Sequence, residues 1–119
     1  MANKTFISIF ALVLAVVALA MPASAQMCSY TGNVDYTASH TEGNVSSLTF
    51  EFKNHNDYTV TVDARFTVVS VNGTSKTQTR TFVMEAGGTH SEKFTCNLFG
   101  GANISASDTS VSYTVRKCD

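Results

Sequence analysis

From residue 28 to residue 68 the apolar side chains fall on even-numbered positions with few exceptions. Cys28, Tyr30, Val34, Tyr36 and Ala38 mark a first segment. Leu48, Phe50 and Phe52 mark a second, alternating with Thr49, Glu51 and Lys53. A third runs through Tyr58, Val60, Val62, Ala64, Phe66 and Val68, with Thr59, Thr61, Asp63, Arg65 and Thr67 between them. A period of two sends successive side chains to opposite faces of a strand, so each segment predicts one dry face and one wet face. The β-branched and aromatic content suits strands, and no mature segment carries a helical stripe. Three more strands follow: about 76–85 with Phe82 and Met84 inward, about 89–96 with Phe94 and Cys96 inward, and about 109–117 with Val111, Tyr113 and Val115. Residues 97–108 read as a loop or as one short extra strand.

Turn chemistry separates the runs. Asn54-His55-Asn56-Asp57 ends the second strand, because Asn and Asp bond their own backbone and tolerate left-handed geometry. Asn72-Gly73 is a strong hairpin signal, and Gly87-Gly88 closes the fourth strand. The hairpin also tests the register. A two-residue loop would set Phe82 beside Asp63. A β-bulge near 67–69, or a three-residue loop, instead sets Val62 opposite Phe82 and Val60 opposite Met84. One of these two is predicted. Six to seven strands of this kind make an all-β fold, a small two-sheet antiparallel β-sandwich, with a small barrel as the alternative. Its predicted core is Phe50, Phe52, Val60, Val62, Phe66, Phe82 and Phe94.

The run from Leu48 to Asn54 with Asp57 to Val62 resembles strands B and C of immunoglobulin-like and fibronectin-III-like sandwiches. So does Phe82-Val83-Met84-Glu85-Ala86-Gly87-Gly88 ahead of a strand ending in Phe94. Bacterial exported members of this group look similar. The resemblance covers about residues 46–96 and implies a fold; it brings no functional residue with it.

Composition adds the address. Nineteen of the first 25 residues are apolar, behind a single Lys4, and Ala23-Ser24-Ala25 follows the apolar run. This is the layout of a secretory signal, shorter than a comfortable membrane span. The expected organisation is therefore a signal peptide over 1–25 and a β-sandwich domain over 26–119, beginning at Gln26 and secreted, extracellular or periplasmic. The net charge of −1 gives no basic excess to draw the chain to nucleic acid or anionic lipid, and no stable membrane insertion of the mature chain is expected. Export puts Cys28, Cys96 and Cys118 in an oxidising compartment, so one disulfide and one remaining thiol are expected. Strand parity separates the pairings. Six strands bring Cys118 to Cys28, and a seventh strand at about 102–106 brings it to Cys96. The weakly apolar Asn103-Ile104-Ser105-Ala106 favours six strands, hence Cys28–Cys118.

Candidate chemistry is thin. His40, His55 and His90 read as loop and strand-start histidines without the convergent ligands a metal needs. Most carboxylates fall outward or in loops, and no Gly-x-Ser-x-Gly elbow is present. Thr59/Thr61 and Thr77/Thr79/Thr81 read as ordinary solvent-facing strand positions. Three sequons begin at Asn44, Asn72 and Asn103. The expectation is a non-enzyme without cofactor: an exported binding or structural module acting through loops or sheet edges on an unknown protein or cell-surface partner. The alternative is a secreted inhibitor or effector docking through the 97–108 loop, with Leu98 and Phe99 as its candidate anchors.

Overall fold

Alternation of buried and exposed side chains runs unbroken through the two central strands of the protein. The structure, a computed structural model, describes residues 27–118. The expected signal segment over 1–25 and the start at Gln26 lie outside the described residues. Nine strands follow in order: β1 (Cys28–Tyr30), β2 (Val34–Ala38), β3 (Asn44–Val45), β4 (Ser47–Asn54), β5 (Val60–Val69), β6 (Ser75–Met84), β7 (Thr89–Thr95), β8 (Ile104–Ser105) and β9 (Ser110–Cys118). They form a four-stranded sheet ordered β1-β9-β5-β6, a three-stranded sheet ordered β2-β4-β7, and a two-stranded pair β3-β8. Single 3-10 turns at Cys96–Phe99 and Ala106–Asp108 are the only helical elements among the described residues.

The period-two reading accounts for β4 and β5. Leu48, Phe50, Phe52 and Asn54 are buried on β4, as are Val60, Val62, Ala64, Phe66 and Val68 on β5. All seven residues of the predicted core are buried. Their rings join the two larger sheets: Phe50 and Phe52 of β4 lie 5.2 and 6.2 Å from Phe66 of β5, and Phe52 lies 5.2 Å from Phe82 of β6. Phe66 also meets Phe94 of β7 at 4.9 Å. Tilted and edge-on rings at these distances add to the burial of their area.

The β5–β6 hairpin resolves the register. Val62 faces Phe82 and Val60 faces Met84, and the pairing continues without a bulge to Val69 opposite Ser75. Ser70 N–H donates to Thr74 O, which leaves Val71-Asn72-Gly73 as a three-residue loop. Gly73 N–H donates back to Ser70 O, and Gly73 takes φ 86°. Of the two predicted solutions the loop is the one adopted, because a left-handed glycine absorbs the extra residue that a bulge would have placed in the ladder.

Three expectations need correction. The first predicted strand is two: the chain breaks at Thr31-Gly32-Asn33, with Asn33 at φ 63°, and passes from one sheet to the other. Tyr30, expected inward, is 80% exposed as a result. The strand at 104–105 does form, yet Cys28 and Cys118 are the disulfide pair, with Cα atoms 4.0 Å apart. The parity count fails because β8 pairs with β3 in a separate sheet and so reverses nothing in the main ones. Cys96 leaves the fifth predicted strand and opens the 3-10 turn, half-buried with a free thiol. Ser29–Lys117 form one compact unit, and Cys28 and Cys118 flank it in sequence. Their bridge closes a sequence separation of 90, which in chain-entropy terms is worth about 4.6 kcal/mol.

Asn54 and Asn56, read as turn residues, are buried. Asn54 Nδ2 lies 2.9 Å from Tyr58 O, 3.0 Å from Glu85 O and 3.3 Å from Met84 O. Its Oδ1 accepts from the backbone N–H and the side-chain amide of Asn56, each at 3.0 Å.

Two outcomes test this description. Phe66→Ala should cost roughly 3–5 kcal/mol in a urea titration, and Asn54→Leu about 3 kcal/mol or more, because it strands several buried polar groups at once. Peptide mapping without reduction should return Cys28 and Cys118 in one linked fragment, with Cys96 alkylated.

Candidate functional site

The side chains along the two open sides of the paired sheets differ. On one side run β6 and β7, joined by the turn Glu85–Gly88. Their inward register brings Arg80 and Phe82 of β6 toward His90, Glu92 and Phe94 of β7. His90 stacks on Phe82 with centroids 3.9 Å apart and planes 12° from parallel. Its Nε2 lies 2.6 Å from Glu92 Oε2, and Arg80 Nε lies 3.3 Å from Glu92 Oε1. Arg80 also sits over the Phe94 ring at 5.7 Å. Both Glu92 oxygens are therefore occupied, and the group seals the edge of the core. The β6 edge is shielded as well: Gln78 Nε2 donates to Thr77 O and Arg80 Nη1 to Thr79 O. Sequence reasoning placed His90 correctly at a strand start but missed its neighbours. The available signal was parity, since His90 and Glu92 share the even register of Phe94.

The opposite side runs along β2 and the first half of β9. Ser39 N–H donates to Thr49 O, which fixes the odd residues of β2 as those facing β4. The backbone groups of Tyr36 and Ala38 therefore face outward, and they have no partner among the described residues. On β9, Thr31 N–H donates to Val115 O, so the same alternation turns the backbone of Val111 and Tyr113 outward beyond the short β1. Neither edge carries an inward charge.

Between these edges lies a groove of about 500 Å³. Its β2 wall is Tyr36, Thr37, Ala38, His40 and Thr41, its floor Leu48 and Phe50, and its far wall Ala106, Ser107 and Thr109. The floor itself belongs to the core, with Leu48 1% and Phe50 3% exposed. Tyr36 is 39% exposed and packs its ring 5.8 Å from Tyr113, edge to face. The Tyr113 hydroxyl donates to Val34 O at 2.8 Å and closes that end of the groove. Burial pushes the Tyr113 phenol up, with Asp35 and Tyr36 adding to the shift, so it stays a donor. On the far wall, Thr109 Oγ1 accepts from Val69 N–H and donates to Ser105 O, which fixes the rim in place.

The residues singled out from sequence fall elsewhere. Leu98 and Phe99 lie in the Cys96–Phe99 turn, half-buried against the core, with the Lys76 ammonium 5.9 Å above the Phe99 ring. His55 pairs with Asp35 at 3.0 Å on the surface. The sequon asparagines gather at one end: Asn44 of β3 faces Ser105, and Val71 N–H beside Asn72 donates to Asn103 O. Among the described residues no three His, Cys, Asp or Glu side chains converge as a metal site would require. The chain matches no protein-family model, no curated protein and no solved structure with which it was compared.

The outer face of the four-stranded sheet carries one ionic network. Asp63 accepts from Thr81 Oγ1 and from Arg116 Nε, each at 2.8 Å, and these bonds hold its carboxyl below the usual carboxylate range. A depressed carboxyl stabilises the fold above its unfolded pKa, and the contribution is lost as the pH falls through the folded value. Asp63→Asn should therefore lower the melting temperature most above about pH 5, and its difference from the parent should shrink as the pH falls below the ordinary value near 4. Thermal melts across pH 2–7 measure it.

Proposed function

We propose that the chain is an exported, non-catalytic binding module of the immunoglobulin-like sandwich type, which holds its partner at the β2 edge and the adjoining groove. One observation carries the reading: the β6–β7 side holds the inward charges of Arg80, His90 and Glu92, whereas the β2 edge holds none. Sheet edges left unpaired invite another chain, and folded proteins ordinarily block them with charge, bulges or cover. The signal-like segment over 1–25 and the Cys28–Cys118 bridge support an oxidising destination. No helix among the described residues is long and apolar enough to cross a membrane.

The side chains lining the groove also speak for binding rather than chemistry. Tyr36 offers exposed apolar area above the buried Leu48 and Phe50, and the polar groups near it are hydroxyls and one imidazole, His40. A second reading places the contact at Leu98 and Phe99, as an inhibitor or effector would use them; it rests on the aromatic and aliphatic pair in an otherwise polar loop.

The test compares three forms of the protein as bait in the native secretome. Ala38→Trp fills the groove, and Leu98→Ala with Phe99→Ala empties the turn. The captured protein should be lost, by roughly tenfold or more, only with Ala38→Trp. Loss only with the turn variant would favour the second reading.

A further inference from the structure

We infer that the end of the fold around β3 and β8 is an N-glycosylated cap, with Asn44, Asn72 and Asn103 as the acceptors of its oligosaccharides. The inference goes beyond the binding-module reading and stands or falls apart from it. Three separate segments supply the sequons: Asn44-Val45-Ser46, Asn72-Gly73-Thr74 and Asn103-Ile104-Ser105. The fold brings them together. Asn44 faces Ser105 across the β3–β8 pair, and Val45 faces Ile104. Asn103 therefore lies diagonally from Asn44, roughly 7–8 Å away by strand geometry. Ser70 bridges to Ile104, and Val71 N–H, one residue before Asn72, donates to Asn103 O at 2.9 Å.

Each acceptor faces solvent. Ile104 is fully buried and Val45 packs half-buried on the core, so alternation turns Asn44 and Asn103 to the outer face of the pair. All three asparagines are exposed, and their carboxamides enter no hydrogen bond among the described residues. Asn54 and Asn56 put the same side chain to the opposite use, buried and bonded, and neither begins a sequon. Room for a bulky group is present as well. A Cβ on Gly43, Gly73 or Gly101, each within two residues of an acceptor, would meet nothing within 4 Å.

The chemistry is a group transfer from a lipid-linked oligosaccharide. The asparagine Nδ2 bonds to the anomeric carbon of the sugar, and that carbon's bond to the phosphate oxygen of the donor breaks. The lipid pyrophosphate leaves, carrying the proton that the amide gives up. The signal-like segment over 1–25 and the Cys28–Cys118 bridge agree with an oxidising secretory compartment, where such a donor is met. The sugar also has apolar surface to cover. Val71, beside Asn72, is 41% exposed. Cys96 N–H donates to Ser46 O, which seats the half-buried Leu98 and Phe99 of the Cys96–Phe99 turn beside the first sequon. A bulky hydrophilic group there screens these side chains from other chains.

The test takes the protein from the native secretome and treats it with a peptide N-glycosidase in heavy-oxygen water. Each occupied asparagine then returns as a labelled aspartate, and peptide mass spectrometry reads its position. Label should appear at two or all three of Asn44, Asn72 and Asn103, and only when the enzyme is present. Ser46→Ala and Thr74→Ala, made in the same source, keep the asparagine and remove its sequon; label should vanish at Asn44 and at Asn72 respectively. Both hydroxyls are exposed, whereas Ser105 Oγ donates to Asp108 and is left intact. No label at any of the three positions overturns the inference, as does label at one alone, since a single sugar makes no cap. Label that forms equally without the enzyme is spontaneous amide hydrolysis and overturns it too, as does label that persists in Ser46→Ala and Thr74→Ala.

Discussion

The carboxamide of Asn54 is the point on which the arrangement of strands turns. It is fully buried at the end of β4, where an amide without partners would cost more than one hydrogen bond gains. Its nitrogen reaches carbonyls just before β5 and at and just past the end of β6, and its oxygen holds Asn56. Asn56 in turn donates to Gly32 O, in the break between β1 and β2. One side chain thereby ties four chain segments at one end of the fold. The Glu85–Gly88 turn conforms to it: Asn54 N–H donates to Gly88 O, and a Cβ on Gly88 would lie 3.1 Å from Glu85 O. Gly87 takes φ 70° in the same turn.

With that end fixed, the aromatic core sets how the two larger sheets face each other, and the open sides are what remain to be managed. The protein manages them differently. Beside β7, stacking of His90 on Phe82 lets a carboxylate and a guanidinium sit against apolar rings while bonded to each other. Beside β2 no inward charge is present, and the backbone of Tyr36 and Ala38 has no partner among the described residues. Extending either solution to both sides would give a sealed module or an aggregation-prone one. The mixture fits a module with one working edge.

Much of this was legible along the chain. Alternation in 48–68 named two strands and five of the seven core residues, because period two has only one dry face to offer. The hairpin at Asn72-Gly73 could be reduced to two registers, because only those kept Phe82 out of line with Asp63. Strand parity points to Cys28–Cys118, the pair that forms, although the count of six behind it does not hold, because β8 pairs with β3 in a separate sheet. The groove was not legible. Its walls come from β2, β4 and the segment before β9, and no local pattern relates Ala38 to Ser107.

What the sequence determined by itself is whatever depends on neighbours along the strand: which side chain points inward, where a turn forms, and the excess of apolar residues before Ala25. Tertiary structure alone decided where the break at Asn33 sends the chain, whether an asparagine in a turn is exposed or fully buried, and whether an inward His90 finds a Glu92 and an Arg80. These depend on which strands become neighbours in a sheet. A one-residue alternation fixes the face of a side chain but carries no information about the strand it will meet.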